Sequence, residues 1–467
     1  MEALGTPSNP PPDTNAPPSK RKGLPAPFDS PPFPSAEWQL GGSEVIGDQN
    51  LTPDYPLMQA IYDGPHGQAW RDSHIKFYGW EDFSGNVSTS RNAAVGANGQ
   101  AANFPEVYDQ RPNTLEQNQF VLYIERTPDE TLETPDWGFR MSWIYGLDYR
   151  YMISRGWNDA QLLKRNNFDG MDDPMMYLNL WLPKVGPEGC NLTLGRIISA
   201  PDIESQLAPN NPMSSHSLLY GFDPYCQWGL FATFKLNQNW TVQGGICAGN
   251  DVTPWETQDP GTQPSGMIMV QWQSDNGKWG FYGGDNNFNN AHWGFNNIQQ
   301  EVFTLVYKAS DIVTIQHETW YMFQDQCPGQ FSSTGAVLPA EIVQNQHTPY
   351  TDASLPVHPG WSHEWATLNY TTFRMRPNLF FTVRNELFDD CQGQRTGYAN
   401  LYDENSIGFT WWPNSIMTIR PELRYDRALG THGGQGGPTP GIDEAKPFDD
   451  NTRRQQFTLQ MDIIYHF

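Results

Sequence analysis

The sequence contains no run of about 18 consecutive apolar residues, which excludes a membrane-spanning helix. It is short of cations: 28 Lys plus Arg stand against 52 Asp plus Glu, a formal charge of −24. Phosphate binding needs clustered cations, so nucleic acid is excluded as a partner. Cysteine is scarce as well. Cys190, Cys226, Cys247, Cys327 and Cys391 include no C-x-x-C pair, so no thiolate metal site and no c-type haem attachment is expected. They read as isolated thiols, with Cys327 and Cys391, both in polar stretches, the one pair to test for a disulfide. What the chain has in excess is aromatic: 25 Phe, 20 Tyr and 18 Trp in 467 residues that are only 37% hydrophobic. That rules out a disordered chain, because each aromatic side chain can bury a large area. The chain is acidic and folded, and too polar for its aromatic content.

The first 35 residues hold 11 prolines and predict an extended tether without a core of its own. Residues 36–70, with Tyr55-Pro56-Leu57-Met58, are read as a periplasmic segment able to cover a mouth of the domain that follows. Residues 71–467 form that domain. No apolar signal core follows Met1, so an exported chain would either begin after its leader or start upstream of it.

From about residue 72 the pattern is alternation. Trp137, Phe139, Met141, Trp143, Tyr145 and Leu147 occupy one phase; Arg140, Ser142, Gly146, Asp148 and Arg150 occupy the other. A strand sends these sets to opposite faces, whereas a helix would leave Phe139 and Arg140 only about 100° apart. Sixteen such segments can be counted, and their connections alternate short and long. Short turns include Asn237-Gln238 and Ala309-Ser310; long links include 199–224, 324–360 and 427–453. This segregation predicts an all-β fold, a transmembrane antiparallel up-and-down β-barrel of about sixteen strands with short periplasmic turns and long extracellular loops. A propeller would need a blade repeat, which is absent.

The C-terminus is the most telling segment. Phe457, Leu459, Met461, Ile463, Tyr465 and Phe467 form a wholly apolar face that ends on an aromatic residue. It is similar to the signal by which bacterial outer-membrane proteins are recognised by the barrel-assembly machinery. Exposed on a soluble edge strand, it would invite aggregation; closure in lipid hides it.

Residues 70–467 resemble the OmpL-like β-barrel porins of planctomycete-type and related Gram-negative bacteria. The resemblance rests on Arg384-Asn385-Glu386-Leu387-Phe388-Asp389, on Arg420-Pro421-Glu422-Leu423-Arg424-Tyr425-Asp426 and on the strand from Gln456 to Phe467. Weaker matches are Tyr78-Gly79-Trp80, Gly195-Arg196 and Ser214-Ser215-His216-Ser217. It implies a bacterial outer-membrane pore for small hydrophilic solutes or ions, embedded in outer-membrane lipid. It implies no catalytic residue, metal or cofactor. By analogy with sixteen-stranded pores, a homotrimer is the expected assembly.

The inward phase is expected to line the pore with Arg140, Asp148, Arg150, Arg196, Lys235, Glu318, Arg384, Glu386, Arg420, Glu422 and Arg424. Facing lipid, each Arg or Lys would cost about 2–4 kcal/mol at the midplane. Two readings of this set stay open: a mutually paired wall that keeps the lumen wet, or a selectivity zone at a constriction. On the second, neutralising Arg384, Arg420 and Arg424 together shifts selectivity toward cations. The long loop at 324–360 is the expected lumen-narrowing segment. Pro421 predicts a bulge, and Trp80, Tyr151, Trp181, Trp240, Trp279, Trp411 and Trp412 are assigned to interfacial girdles. The loop from Asp285 to Asn290 is a weak candidate for Ca²⁺.

No enzyme signature survives inspection. His317-Glu318 is followed by Tyr321, and His363-Glu364 by Thr367, where a zinc-protease motif needs histidine. There is no nucleophile elbow, P-loop or dinucleotide fingerprint. The alternatives to a pore are a barrel that sheathes or scaffolds a partner protein, a barrel enzyme, and a soluble carbohydrate-binding β-protein.

Overall fold

A computed structural model describes residues 56–91, 103–256 apart from 131, 164, 166 and 199–201, 264–289, 298–325, 361–391, 395–431 apart from 397 and 415, and 446–467. The tether at 1–35 and most of the 36–70 segment lie outside the described residues, as do 326–360 of the predicted lumen-narrowing loop and Cys327. Among the described residues no helix is long and apolar enough to cross a membrane.

Two short helices come first, α1 (Pro56–Tyr62) and α2 (Gly67–Ser73). The strands follow: β1 (Ile75–Ser88), β2 (Leu115–Arg126), β3 (Asp136–Gly146), β4 (Gly170–Asp172), β5 (Met176–Leu182), β6 (Cys190–Ile198), β7 (Cys226–Lys235), β8 (Trp240–Asn250) and β9 (Ser265–Gln273). Then come β10 (Trp279–Phe288), β11 (Gln299–Lys308), β12 (Val313–Asp325), β13 (Trp361–Arg376), β14 (Leu379–Asp390), β15 (Asn400–Asn414), β16 (Met417–Thr431) and β17 (Gln455–His466). Successive strands pair antiparallel, and β17 returns to β1 with Trp80 opposite His466 and Ser88 opposite Thr458. The sheet is therefore closed.

The seventeen strands among the described residues make sixteen staves. Both β4 and β5 pair with β3, at Ile144–Gly146 and Asp136–Met141 respectively, so they are two pieces of one stave. The break at Asp173-Pro174-Met175 falls where proline has no N–H for the ladder; Ser142 bridges it, its N–H donating to Met175 O (2.9 Å) and its Oγ accepting from Met175 N–H (3.0 Å).

Closure is completed at the last residue. Phe467 N–H donates to Gly79 O at 3.0 Å and Gly79 N–H to Phe467 O at 3.1 Å. A Cβ on Gly79 would lie 2.0 Å from Val121 O and 2.9 Å from the Phe467 ring, so only glycine fits there.

The alternation has the expected direction. Leu178, Leu194, Ile246, Leu459 and Met461 are exposed on the outer face, Leu194 by 58% and Ile246 by 65%, while Gln456, Thr458, Gln460 and Asp462 between them are buried. The same holds for Trp137, Met141 and Tyr145 against Arg140, Ser142 and Ile144. Of the residues assigned to girdles, Trp240, Trp279 and Trp411 are exposed at the short-turn end. Trp80, Trp181 and Trp412 instead face inward and are buried, because their phase in the sequence is that of the polar set, and Tyr151 is buried in the turn that follows β3. Tyr321, Trp361 and Trp365 supply exposed aromatics at the long-loop end, with Tyr321 opposite Trp365.

Two further expectations change. The strand read through Asp148 and Arg150 stops at Gly146, where φ is +138°, and residues Leu147–Tyr151 form a 3₁₀ turn. A Cβ at Gly146 would lie 2.3 Å from Asn118 O, so this exit from the wall depends on glycine. Pro421 causes no bulge. It pairs in register with Met461 of β17, and the β15 ladder skips from Gly408–Glu422 to Trp411–Ile419, so the missing N–H falls in that gap.

The apolar core lies inside the barrel, since the outer rows are left for lipid. It contains Tyr78, Trp80, Tyr123 and Phe388 from the wall with Tyr108, Tyr151, Leu207, Leu218 and Phe222 from long-loop segments folded inward. Met461→Arg, on the outer row in the middle of β17, should cost about 2–4 kcal/mol of folding into lipid. A urea titration in vesicles, scored by the shift in gel mobility on boiling, measures this; an unchanged midpoint would mean that this row does not face hydrocarbon.

Candidate channel and its inner segment

The barrel interior is organised by one segment, residues 202–225 between β6 and β7, which crosses to the opposite wall. Its Ser214-Ser215-His216-Ser217 stretch meets β14 and β16, and Pro212 O just before it accepts from Thr410 Oγ1 of β15 (2.5 Å). Glu422 accepts from Ser215 N–H (2.9 Å), Ser215 Oγ (2.6 Å) and Ser214 Oγ (3.1 Å). Glu386 accepts from Leu218 N–H (2.8 Å) and Leu219 N–H, at the start of a single helical turn, Leu218–Gly221. Deeper in the lumen, Arg420 Nη1 donates to Ala208 O and Asn211 O, both at 2.6 Å. Gly408 faces Met213, whose Cε is 3.0 Å from where a Cβ would stand.

Arg384 is the centre of the contact. Its guanidinium reaches Glu404 (3.0 Å), Glu204 (3.1 Å) and Glu422 (3.2 Å) and donates to Ser215 O (2.8 Å) and Ser215 Oγ (2.6 Å). Arg424 pairs with Asp426 (2.8 Å) and donates to Ser215 Oγ (3.2 Å) and His216 O. Arg420 is bound by Asp462. Burying such charges is costly unless each is paired and hydrogen-bonded, and here the hydroxyl of one residue, Ser215, bonds Arg384, Arg424 and Glu422 together. The five fixed donors of arginine suit this work better than an ammonium would.

Of the candidates read from the sequence, Arg140, Lys235, Glu318, Arg384, Glu386, Arg420, Glu422 and Arg424 lie in the buried inward rows. Arg140 pairs with Glu125 (2.7 Å), and Glu318 accepts from Ile203 N–H (2.7 Å) and Thr304 Oγ1 (2.7 Å). Asp148 and Arg150 are buried in the turn after β3, not on the wall. Arg196 departs from its expected row. Register sets it opposite Met176 and Trp228, in line with the outer residues Leu194 and Leu178. It is buried all the same, paired with Asp172 (2.8 Å) at the break in the stave. The arginines of β14 and β16 are not on adjacent strands: β15 lies between them and contributes Glu404. Glu204, Glu404, Asp426, Asp462 and Tyr370, whose hydroxyl donates to Glu204 and accepts from Arg384 (3.2 Å), were missed by sequence reasoning; only their alternation phase could have pointed to Glu404, Asp426 and Asp462.

Two other long-loop segments pack on the first. Tyr151, Tyr108 and His216 stack with centroids 4.1 and 3.9 Å apart, and His216 continues to Tyr220 at 5.0 Å. Asp285 to Asn289 is engaged in local bonds, among them Asn286 to Gln300 (2.8 Å) and Asn289 to Ser265 (2.7 Å). No cluster that could hold a metal occurs among the described residues.

Burial sets the protonation of the inner segments. It pushes Asp109 up to about 8, with Glu116 and Glu422 adding to the effect, and raises Glu106, Asp202 and Asp223 well above the usual carboxylate range. It lowers His216 to about 4. A carboxyl whose value is raised when packed stabilises the packed form at low pH and loses that contribution as pH rises through its raised value. The depressed His216 acts oppositely, weakening packing as pH falls from about 6.5 toward 4.

A closed antiparallel sheet with an apolar outer face and a polar inner face defines a transmembrane β-barrel. The chain belongs to the family described as "Putative beta-barrel porin-2, OmpL-like", whose model matches residues 80–467. It is an outer-membrane porin by that membership. Solved structures similar to it include an anion-selective porin from Comamonas acidovorans, at 9% identity and TM-score 0.50, covering 84% of this chain and 99% of that one. The outer membrane channel DcaP of Acinetobacter baumannii is similar at 12% identity and TM-score 0.49, covering 84% and 97%. At 9% identity the likeness to the Comamonas porin is one of fold alone. No curated protein matches the sequence.

Two outcomes are expected in planar bilayers. Arg384→Ala leaves Glu204, Glu404 and Glu422 buried without their shared cation, a loss of about 3–5 kcal/mol in anchoring, so single-channel conductance should rise and grow noisier, with Ser215→Ala giving a smaller rise. Unchanged traces for Arg384→Ala would show that the segment is held by other contacts. With four raised carboxyls against one depressed imidazole, conductance should fall as pH drops from 9 to 6; a flat profile over that range contradicts the assignment.

Proposed function

We propose that this porin is a passive, non-enzymatic channel of the bacterial outer membrane that admits small hydrophilic solutes, with the 202–225 segment setting its bore. The carrying observation is the segment itself: it spans the lumen and is bound to the far wall by Arg384, Arg420, Glu422 and Glu386. Passage then depends on the space left beside it and on how firmly it is held. The three arginines bind carboxylates and main-chain oxygens, so they act as anchors first; this favours the paired-wall reading over a row of free cations.

In this reading the long loops face the exterior and α1 and α2 lie at the periplasmic mouth, where Met58 is buried against β1. Phe457, Leu459, Met461, Ile463, Tyr465 and Phe467 act as the assembly signal, and the assembled form is a homotrimer. The filled interior also suits a barrel that scaffolds a partner. One measurement separates the two: full-length protein in a planar bilayer should give discrete conductance steps without any energy source, and swelling of liposomes in small sugars should follow. Membrane insertion without conductance at any pH from 5 to 9 would overturn the channel in favour of the scaffold.

A further inference from the structure

The outer face is mostly apolar, yet four arginines gather at the long-loop end of the seam between β16, β17 and β1. Arg427 continues the outer row of Leu423 and Tyr425, opposite Gln455 of β17 and Asp403 of β15. Arg454 is fixed beside it by the bond from Ala428 N–H to Arg454 O (2.8 Å). Arg453 pairs with Asp449 (3.0 Å) and donates to Thr89 O (2.8 Å), while Arg91 N–H donates to the same Asp449 carboxylate (2.7 Å). Asp449 thus ties this segment to the end of β1 and sets Arg91 and Arg453 side by side. Arg91, Arg427 and Arg454 are exposed, and among the described residues neither Arg427 nor Arg454 has a carboxylate within ion-pair distance. Thr89, Arg453, Arg454, Gln455 and Phe457 line an open hollow of about 480 Å³. Below it the rings of Tyr425 and Phe457 pack at 4.5 Å, and the exposed row Phe457, Leu459, Met461 runs toward the short-turn end.

This is an unusual place for cations in a chain with formal charge −24. Cations on an outer row are costly in hydrocarbon and become tolerable at the interface, where they can meet an anion. Guanidinium groups bind phosphate through paired donors, and a hollow of several hundred Å³ can hold a sugar-sized group. We infer that the hollow binds a phosphorylated glycolipid of the outer leaflet. Arg427, Arg453 and Arg454 hold its phosphate, the sugar occupies the hollow, and the acyl chains run along Phe457, Leu459 and Met461. The inference rests on the proposed outward orientation of the long loops.

The test uses full-length protein in phosphatidylcholine vesicles doped with bisphosphorylated lipid A, with lipid binding read from tryptophan fluorescence and conductance recorded in parallel. The double variant R427Q/R454Q should bind at least tenfold more weakly and conduct as the unaltered protein does. Dephosphorylated lipid A should bind the unaltered protein as weakly as lipid A binds the variant. Equal binding by the variant, or of the dephosphorylated lipid, overturns the site. So does protection of the patch by inorganic phosphate alone at the same concentration, or loss of oligomer mass in the variant with lipid binding intact. Phosphate-dependent binding by a protein that never conducts would sink the channel and spare this site; conductance without such binding would do the reverse.

Discussion

In hydrocarbon a backbone amide without a partner costs several kcal/mol, and no water is present to supply one. Every other feature of this protein follows from that constraint. It requires β17 to find β1, and it makes the last residue structural, since Phe467 exchanges both main-chain bonds with Gly79. It also explains how the fourth stave tolerates its break at Pro174. The break is bridged by Ser142, and Arg196 is buried there on Asp172. Once the sheet is closed, the two phases of each strand have different solvents, and composition sorts between them.

Closure leaves an interior that must be filled or hydrated, and this barrel does much of the filling with its own long loops. The wall provides charges and the inner segment provides main-chain groups and short hydroxyls. Glu386 and Glu422 take N–H donors, and Arg384, Arg420 and Arg424 take carbonyl oxygens. A charge on a rigid strand can be aimed, whereas a loop can shape its backbone to meet it. The aromatic stack from Tyr151 through Tyr108 to His216 adds area, and the small residue at Gly408 makes room for Met213.

The alternating phases of β3, β16 and β17, the number of staves and the segregation of loop lengths were all legible in the sequence. Each is a local, periodic property, and a strand's period of two survives any tertiary setting. Direction was legible as well, because Arg384 or Arg424 on a lipid face would be prohibitive. Which tryptophans face lipid was read less well: Trp80 and Trp412 sit in the polar phase, and their chemistry alone suggested an interface.

By itself the sequence determined that this chain is a closed barrel with an apolar exterior, because period and charge act strand by strand. Tertiary structure alone decided what occupies the lumen. The pairing of Ser215 with Arg384, or of Arg420 with the carbonyls of Ala208 and Asn211, joins residues 169 to 212 positions apart, and no periodic pattern encodes such a meeting. It depends on where Gly146 ends a strand, on which loop is long enough to cross, and on buried charges that accept only partners able to satisfy them.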